Sequence, residues 1–427
     1  MFSRRIKVGY FVLEGMNSFA TVYFFYYFYF FMEGEFRFGN KANLTLAALN
    51  GGMYALCAWW AGKFAQRFGY FLALKVGFGT MLLAMAIGWH LHSAGGEISM
   101  MLLTVLGMSF TWPTLEALAS EGEDRKGVQH MVGLYNVVWA ATAAVANFCG
   151  GAMLQTLGPR SLFLVPAGIQ LAQLALTFSL ERVVGRRRTA GSLSAASPAL
   201  ESGEGFALAI SPAGPGVASA VAHEAEAVPA AQAQRFLQMA WLANPFGYIA
   251  INTTIAAMPG IAGRLGLSTM VAGFCGSVWC FARLGAFTLL WRWAGWHYRF
   301  RWLLLAYALL VGTFTAILLA PSIALLVSAQ VFFGIALGLL YYSSLFYSMD
   351  RSETKGEHGG IHEAVIGLGN FTGPAVGAAT LQFLPAYPSS GALAVSVLLL
   401  GGMGGLVAIW KKGANSVRNR PGGRTAN

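Results

Sequence analysis

The chain has 427 residues, of which 56% are hydrophobic, 14% aromatic and only 11% Asp, Glu, Lys or Arg; its mean hydropathy is +0.57. Soluble domains carry about a quarter charged residues, so this composition excludes an ordinary water-exposed globule and points to a polytopic membrane protein. The formal net charge of +11 would suggest nucleic acid in a soluble chain, but here the cations mark orientation, and no nucleic-acid partner is expected.

A spanning helix needs about 20 mostly apolar residues, because the hydrocarbon core is about 30 Å thick and each residue rises about 1.5 Å. Twelve such segments are predicted, at about 8–32, 44–64, 70–92, 97–119, 129–154, 161–181, 236–260, 268–292, 302–320, 322–349, 361–384 and 389–410. They lack the two-residue alternation of barrel strands and are too long to be such strands. The fold class expected is an all-α polytopic membrane protein, twelve transmembrane helices in two pseudo-symmetric six-helix bundles.

The charged start of the chain is followed by an apolar run that Glu14 interrupts, with no small-residue cleavage site, so a removable signal peptide is not expected. Glu14, Asn17, Ser18 and Thr21 fall at i, i+3, i+4 and i+7, a polar stripe on span one. An intramembrane charge needs a partner or a watery cavity, and a buried carboxyl can bind and release a proton near neutrality. Glu14 is therefore a proton-coupling candidate; the alternative is a carboxylate held by neighbouring polar groups. The run "YFFYYFYFF" at 23–31 reads as an interfacial anchor. Between spans two and three stands "AGKFAQRFGY". In span four Glu116 follows Pro113 and shares a face with Ser109 and Trp112; it either lines a cavity, where it would join the proton-coupling candidates, or sits at the interface or in a gate. Span five adds Tyr135, Asn136 and Trp139.

Residues 183–234 open with an arginine run and continue in Ala, Ser, Gly and Pro, a composition that cannot bury a core; this is a predicted flexible cytosolic linker. It separates a bundle at 1–182 from one at 235–427 that ends in a basic tail. Span seven carries Asn244, Tyr248 and Asn252 at near-helical spacing, and span eight carries Arg283, too deep to snorkel. The anionic partner of Arg283 is expected to be Glu363, in a structural pair, or a group on the substrate. The loop "AGWHYRFRW" follows. Span ten holds Tyr341, Tyr342 and Tyr347. Span eleven begins with His362 and Glu363, both candidates for moving protons, and holds Asn370 in "GLGNFTG"; its glycines at 369, 373 and 377, like Gly334 and Gly338 in span ten, are expected to allow close helix packing. Cys57, Cys149, Cys275 and Cys280 all fall inside spans, so neither disulfides nor a metal site is expected.

The halves echo each other in order. The two basic loops correspond, Gly107 falls opposite Gly338, "EGEDRKG" opposite "DRSETKG", and "ANFCGGAML" opposite "GPAVGAATL". With a cytosolic N-terminus, 23 of the 28 Lys and Arg residues lie on the cytosolic side and four outside, Arg37, Lys41, Arg160 and Arg264, with Arg283 inside a span. The positive-inside rule then places both termini in the cytosol, in the plasma (inner) membrane. Two parallel repeats put a binding cleft between the halves.

Twelve spans, a long central loop and "GKFAQRFG" resemble the major facilitator superfamily, of prokaryotic type, whose signature at this loop is Gly-x-Leu-Ala-Asp-Arg-x-Gly. Gly62, Phe64, Ala65, Arg67 and Gly69 carry the match, and Gln66 departs from the signature's Asp. The Gly-Pro signature of the family's antiporters is absent from span five; Gly373, Pro374 and Gly377 repeat it in span eleven. The resemblance implies a gating loop at Gly62, Gln66, Arg67 and Gly69, with Gly295 and Arg299 at the corresponding place in the second half. It also implies a central cavity lined by spans one, four, seven and ten, where Asn17, Thr21, Trp112, Asn244, Tyr248, Asn252, Tyr341, Tyr342 and Tyr347 fall. Aromatic stacking surfaces with neutral hydrogen-bonding groups suit sugar-like or amphipathic solutes. The function expected is secondary active transport of a small organic solute by alternating access, coupled to protons, with the lipid bilayer, the solute and protons as partners. No cofactor is expected, and the chain is expected to be a monomer. No phosphate-binding loop occurs that would let ATP drive it, and only two aspartates, Asp124 and Asp350, are available to an enzyme reading. The alternatives are a facilitative or drug-efflux carrier, or a transporter-like sensor without net transport.

Overall fold

A computed structural model describes the backbone of residues 4–122, 125–195, 228–351 and 357–418. These residues form thirteen α-helices: α1 (Arg4–Phe36), α2 (Asn40–Phe68), α3 (Tyr70–Gly88), α4 (Ala94–Ser120), α5 (Arg125–Leu157), α6 (Ser161–Ala195), α7 (Ala230–Arg264), α8 (Thr269–Gly276), α9 (Val278–Arg292), α10 (Phe300–Leu318), α11 (Ile323–Arg351), α12 (Glu357–Phe383) and α13 (Ser390–Arg418). A helix satisfies its own backbone hydrogen bonds, which a segment in hydrocarbon must do. Among the described residues nine helical segments are long and apolar enough to cross a membrane, with α8 and α9 counted as one. The chain is a multi-pass membrane protein.

The helices outside those nine, α1, α2 and α7, have 33, 29 and 35 residues, so length is not what sets them apart. They are less apolar because they bury polar side chains inside the protein, among them Glu14, Asn17, Asn43, Asn244 and Thr254. Large apolar side chains stand exposed on these helices, as Leu56 of α2 does, and on the others, as Leu157, Leu164 and Val397 do.

Local chemistry sets the helix ends. Ser93 caps α4 by accepting from the Gly96 N–H at 3.2 Å, and Ser268 caps α8 by accepting from Val271 at 3.3 Å. The α2–α3 break is a single residue, Gly69, whose φ of 94° only glycine adopts readily. The C-terminus of α4 is held by Lys7, whose Nζ donates to the carbonyl oxygens of Ala119 at 3.0 Å and Glu121 at 2.6 Å. The predicted eighth span is interrupted at Ser277, whose hydroxyl turns back to the Phe274 carbonyl at 2.9 Å. α6 continues to Ala195 and α7 begins at Ala230, so both helices run into the segment read as a linker. Its Ala-rich flanks extend a helix readily once one is nucleated.

Within α1–α6, α3 packs on α4 and α6, and α1 on α5 and α6; within α7–α13, α11 packs on α9 and α10, and α12 on α7 and α13. The two sets meet where α2 lies along α12 and α5 along α8 and α9. Glycine makes both approaches possible. A Cβ at Gly51 would fall on the backbone of Asn370 and Phe371, and one at Gly367 would stand 2.6 Å from the Ala55 backbone. The glycines expected to allow close packing do so: Gly334 and Gly338 seat α11 on α9, and Gly369 and Gly373 seat α12 on α7.

Candidate functional site: a charged aromatic cavity

Between the two sets of helices lies a cavity of about 210 Å³. From α1 it is lined by Thr21, Phe25, Tyr26 and Tyr29, from α2 by Asn50 and Tyr54, from α4 by Met108, Trp112 and Glu116, and from α5 by Tyr135, Trp139 and Asn147. The opposite wall comprises Tyr248 and Asn252 of α7, Trp279 and Arg283 of α9, Tyr341 of α11, and Glu363 and Asn370 of α12. Eleven of the residues singled out from sequence are thus brought together: Thr21, Trp112, Glu116, Tyr135, Trp139, Tyr248, Asn252, Arg283, Tyr341, Glu363 and Asn370.

Others lie one layer out. Glu14 is 1% exposed and stands outside the lining; its carboxyl oxygens have no hydrogen-bond partner of ordinary geometry among the described residues, and the Tyr135 side chain is the polar group facing it. Asn17 is buried beside it with its amide equally unpartnered, while its carbonyl accepts from Thr21 at 2.7 Å. Around them Ser18 donates to the Trp139 carbonyl at 2.9 Å and Gln173 to the Leu13 carbonyl at 3.1 Å, tying α1 to α5 and α6. Asn136 accepts from the Trp139 indole at 2.9 Å and so fixes that ring. Asn244 lines a smaller recess beside Tyr248, Arg283 and Tyr341. Tyr342 and Tyr347 belong to an aromatic cluster around Trp296, and the Tyr347 hydroxyl accepts from the Tyr298 N–H at 3.0 Å. The His362 side chain lies outside the described residues.

The expected ion pair between Arg283 and Glu363 does not form. Glu363 accepts from the Tyr54 hydroxyl at 2.7 Å, across the interface between α2 and α12. The Arg283 guanidinium carbon lies 4.5 Å from the ring centroid of Trp139 and 4.7 Å from that of Trp279, so two indoles take the place of a carboxylate. Glu116, for which an interface or gate position was one reading, lines the cavity within electrostatic reach of Glu363.

The aromatic run at 23–31 is not an interfacial anchor. Tyr23, Tyr26, Tyr27 and Tyr29 are each at most 3% exposed. The Tyr23 hydroxyl meets Ser161 Oγ at 2.8 Å, Tyr27 donates to the Asn147 carbonyl, and Tyr26 donates at 3.3 Å to the Gly276 carbonyl left open by the α8–α9 break. Buried tyrosines need such acceptors, and a helix break on another segment supplies one, which sequence spacing does not reveal. Asn50, Tyr54, Asn147 and Trp279 are lining residues that the sequence reading missed, because nothing in their local pattern separates a cavity-facing polar or aromatic group from a packed one.

At the end of the cavity opposite the chain ends the two sets of helices touch. The Gln155 side chain accepts from the Met270 N–H at 2.9 Å, Lys41 donates to Gln382 at 2.9 Å, and Gly151 packs against Thr269 and Gly273. The loops of the sequence echo differ in form. Gly62 sits near the end of α2, while Gln66 and Arg67 are exposed, with Arg67 over the Phe68 ring at 5.2 Å. In the second loop Ala294–Trp296 forms a 3-10 turn that includes Gly295 and buries Trp296 between α9 and α11, leaving Arg299 exposed at the start of α10.

No family model and no curated protein matches the sequence. Solved structures do match. The chain superposes on the crystal structure of nucleoside transporter NupG with a TM-score of 0.61 at 12% identity, over 97% of this chain and 100% of that one. A point variant of the same transporter gives a TM-score of 0.63 at 10% identity, over 95% and 99%. The likeness is one of fold. Among the described residues no group of three or more His, Cys, Asp or Glu could hold a metal ion.

Proposed function

We propose that this chain is a carrier of the major facilitator superfamily that moves a small organic solute across a membrane by alternating access. Its two six-helix bundles, 1–182 and 235–427, rock about the central cavity; residues 183–234 join them on the cytosolic side, where both chain ends lie, and the membrane is the plasma (inner) membrane. The observation that carries this reading is the cavity itself: it is lined from both sets of helices, polar and charged in a protein otherwise unusually apolar, and closed by helix contacts at one end. Likeness in fold to a nucleoside transporter supports solute transport in general.

Transport is secondary and coupled to protons, with Glu14 as the coupling group. In support, its carboxyl is buried beside the cavity with no cation against it among the described residues, and Tyr135, which faces it, lines the lumen. Purified protein in liposomes tests the reading. An imposed pH gradient should drive accumulation of a bound solute, and absence of any flux of a solute that demonstrably binds would defeat it.

A further inference from the structure

The cavity holds an arginine and two carboxyl groups that do not pair with one another. Arg283 is 6% exposed, and among the described residues it makes neither a hydrogen bond nor an ion pair; Nε is buried and unpartnered. The ring centroids of Trp139 and Trp279 lie 4.5 and 4.7 Å from its guanidinium carbon, and the side chain is part of the cavity lining; the N–H edge of a guanidinium chelates planar oxyanions in a bidentate fork. Elsewhere in the lining the Glu363 carboxyl receives one hydrogen bond, from Tyr54, and the Glu116 carboxyl receives none from the described residues. A charge buried without a counter-charge is costly, and side chains of opposite sign in one cavity would ordinarily relieve that cost by pairing. Here they are held apart. Tyr248 and Tyr341, whose ring centroids are 6.4 Å apart, stand within electrostatic reach of Arg283 and of both Glu363 and Glu116, and Tyr341 also lies 5.6 Å from the Trp139 ring.

Resting on the carrier reading, we infer that the solute is a small zwitterion: its carboxylate is chelated by the edge of Arg283, its protonated amine is received by Glu363 and Glu116, and its uncharged middle lies against Tyr248 and Tyr341. This is narrower than the sugar-like or amphipathic solute that the sequence suggests. A neutral polyol would leave the arginine and both carboxylates unpaired, a simple anion would leave the carboxylates so, and a simple cation the arginine.

The test uses the full chain in nanodiscs, with binding read from tryptophan fluorescence, since Trp139 and Trp279 lie against the arginine. The probes are the twenty common amino acids, dialanine and glycine betaine as zwitterions. Uridine and glucose serve as neutral solutes, 3-phenylpropanoate and benzoate as anions, and phenylalanine amide and choline as cations. At least one zwitterion is expected to bind tenfold or more tightly than every neutral, anionic and cationic probe. Arg283→Gln should weaken that zwitterion at least tenfold while leaving its amide, which lacks the carboxylate, unchanged. Arg283→Lys, which keeps the charge and loses the fork, should fall between, and serves as the folded comparison if the glutamine variant is unstable. Tightest binding by a neutral or singly charged probe, binding by none of the zwitterions, or equal loss for zwitterion and amide would overturn the inference. Flux in liposomes separates the two readings: a neutral solute that binds and is carried refutes the zwitterion alone, whereas a zwitterion that binds through Arg283 but never crosses refutes the carrier alone.

Discussion

Replacing Gly151 by valine should drive the protein out of the arrangement described here. Gly151 on α5 faces α8 where a side chain has no room: its Cβ would fall on the Thr269 carbonyl oxygen and stand 3.2 Å from the Cα atoms of Met270 and Gly273. All three are backbone atoms, so no rotamer change makes space, and the helices must part by about 1 Å; overpacking of this kind costs about 1–3 kcal/mol. In a carrier that alternates, the cost falls on the state closed at this end and spares the other. A difference of about 1–3 kcal/mol is a shift of about 5- to 150-fold between two states. Spin labels at Thr156→Cys and Val271→Cys, with the four native cysteines replaced, would report it as growth of a longer distance in the valine variant. A folded variant with an unchanged distance distribution would refute the idea that the α5–α8 contact is one half of a two-state gate.

Glu14→Gln should abolish solute accumulation driven by a pH gradient while leaving solute exchange intact, as measured in liposomes; gradient-driven accumulation at the native rate would remove Glu14 from the coupling role. Gly69→Ala forces a side chain into a backbone region with φ of 94° and should lower stability by about 1–3 kcal/mol, visible as a lower thermal midpoint in detergent. Lys7→Met removes two hydrogen bonds from a cation to the end of α4 and should cost about 1.5–3 kcal/mol in the same assay. Tyr54→Phe deprives Glu363 of its described hydrogen bond, and solute affinity measured by fluorescence should change about tenfold, because a charge-assisted bond of about 1.5–3 kcal/mol is lost.

The parts of this protein that follow from local rules were legible in its sequence. Apolar length placed the helices, and the four-residue spacing of Gly334 with Gly338 and of Gly369 with Gly373 foretold close packing. The i, i+4 spacing of Tyr248 and Asn252 foretold a shared face on the cavity. Non-local relations were not legible. Arg283 and Glu363 are the two charges a reader of sequence would pair, yet an indole from α5, an indole from Arg283's own helix α9 and a phenol from α2 occupy their places. Likewise the tyrosines at 23, 26 and 27 look like a membrane-surface belt until partners on α5, α6 and α8 are known. Polar residues on α1, α2 and α7 lower their hydropathy for one reason, a face turned to the protein's interior, but composition alone leaves open which side chain reaches the lumen and which, like Asn136 and Asn17, stays behind it.

The most direct test of the carrier is to fix the closed end and ask whether the cavity then opens one way only. With Gln155→Cys and Met270→Cys joined by a short crosslinker, at the site of the present 2.9 Å contact, a cysteine at Asn252 should react with an impermeant reagent from the side of the chain ends alone, and solute flux should stop. Without the link it should react from both sides and flux should continue. Reaction from both sides through an intact crosslink, or flux undiminished by it, would contradict alternating access through this cavity.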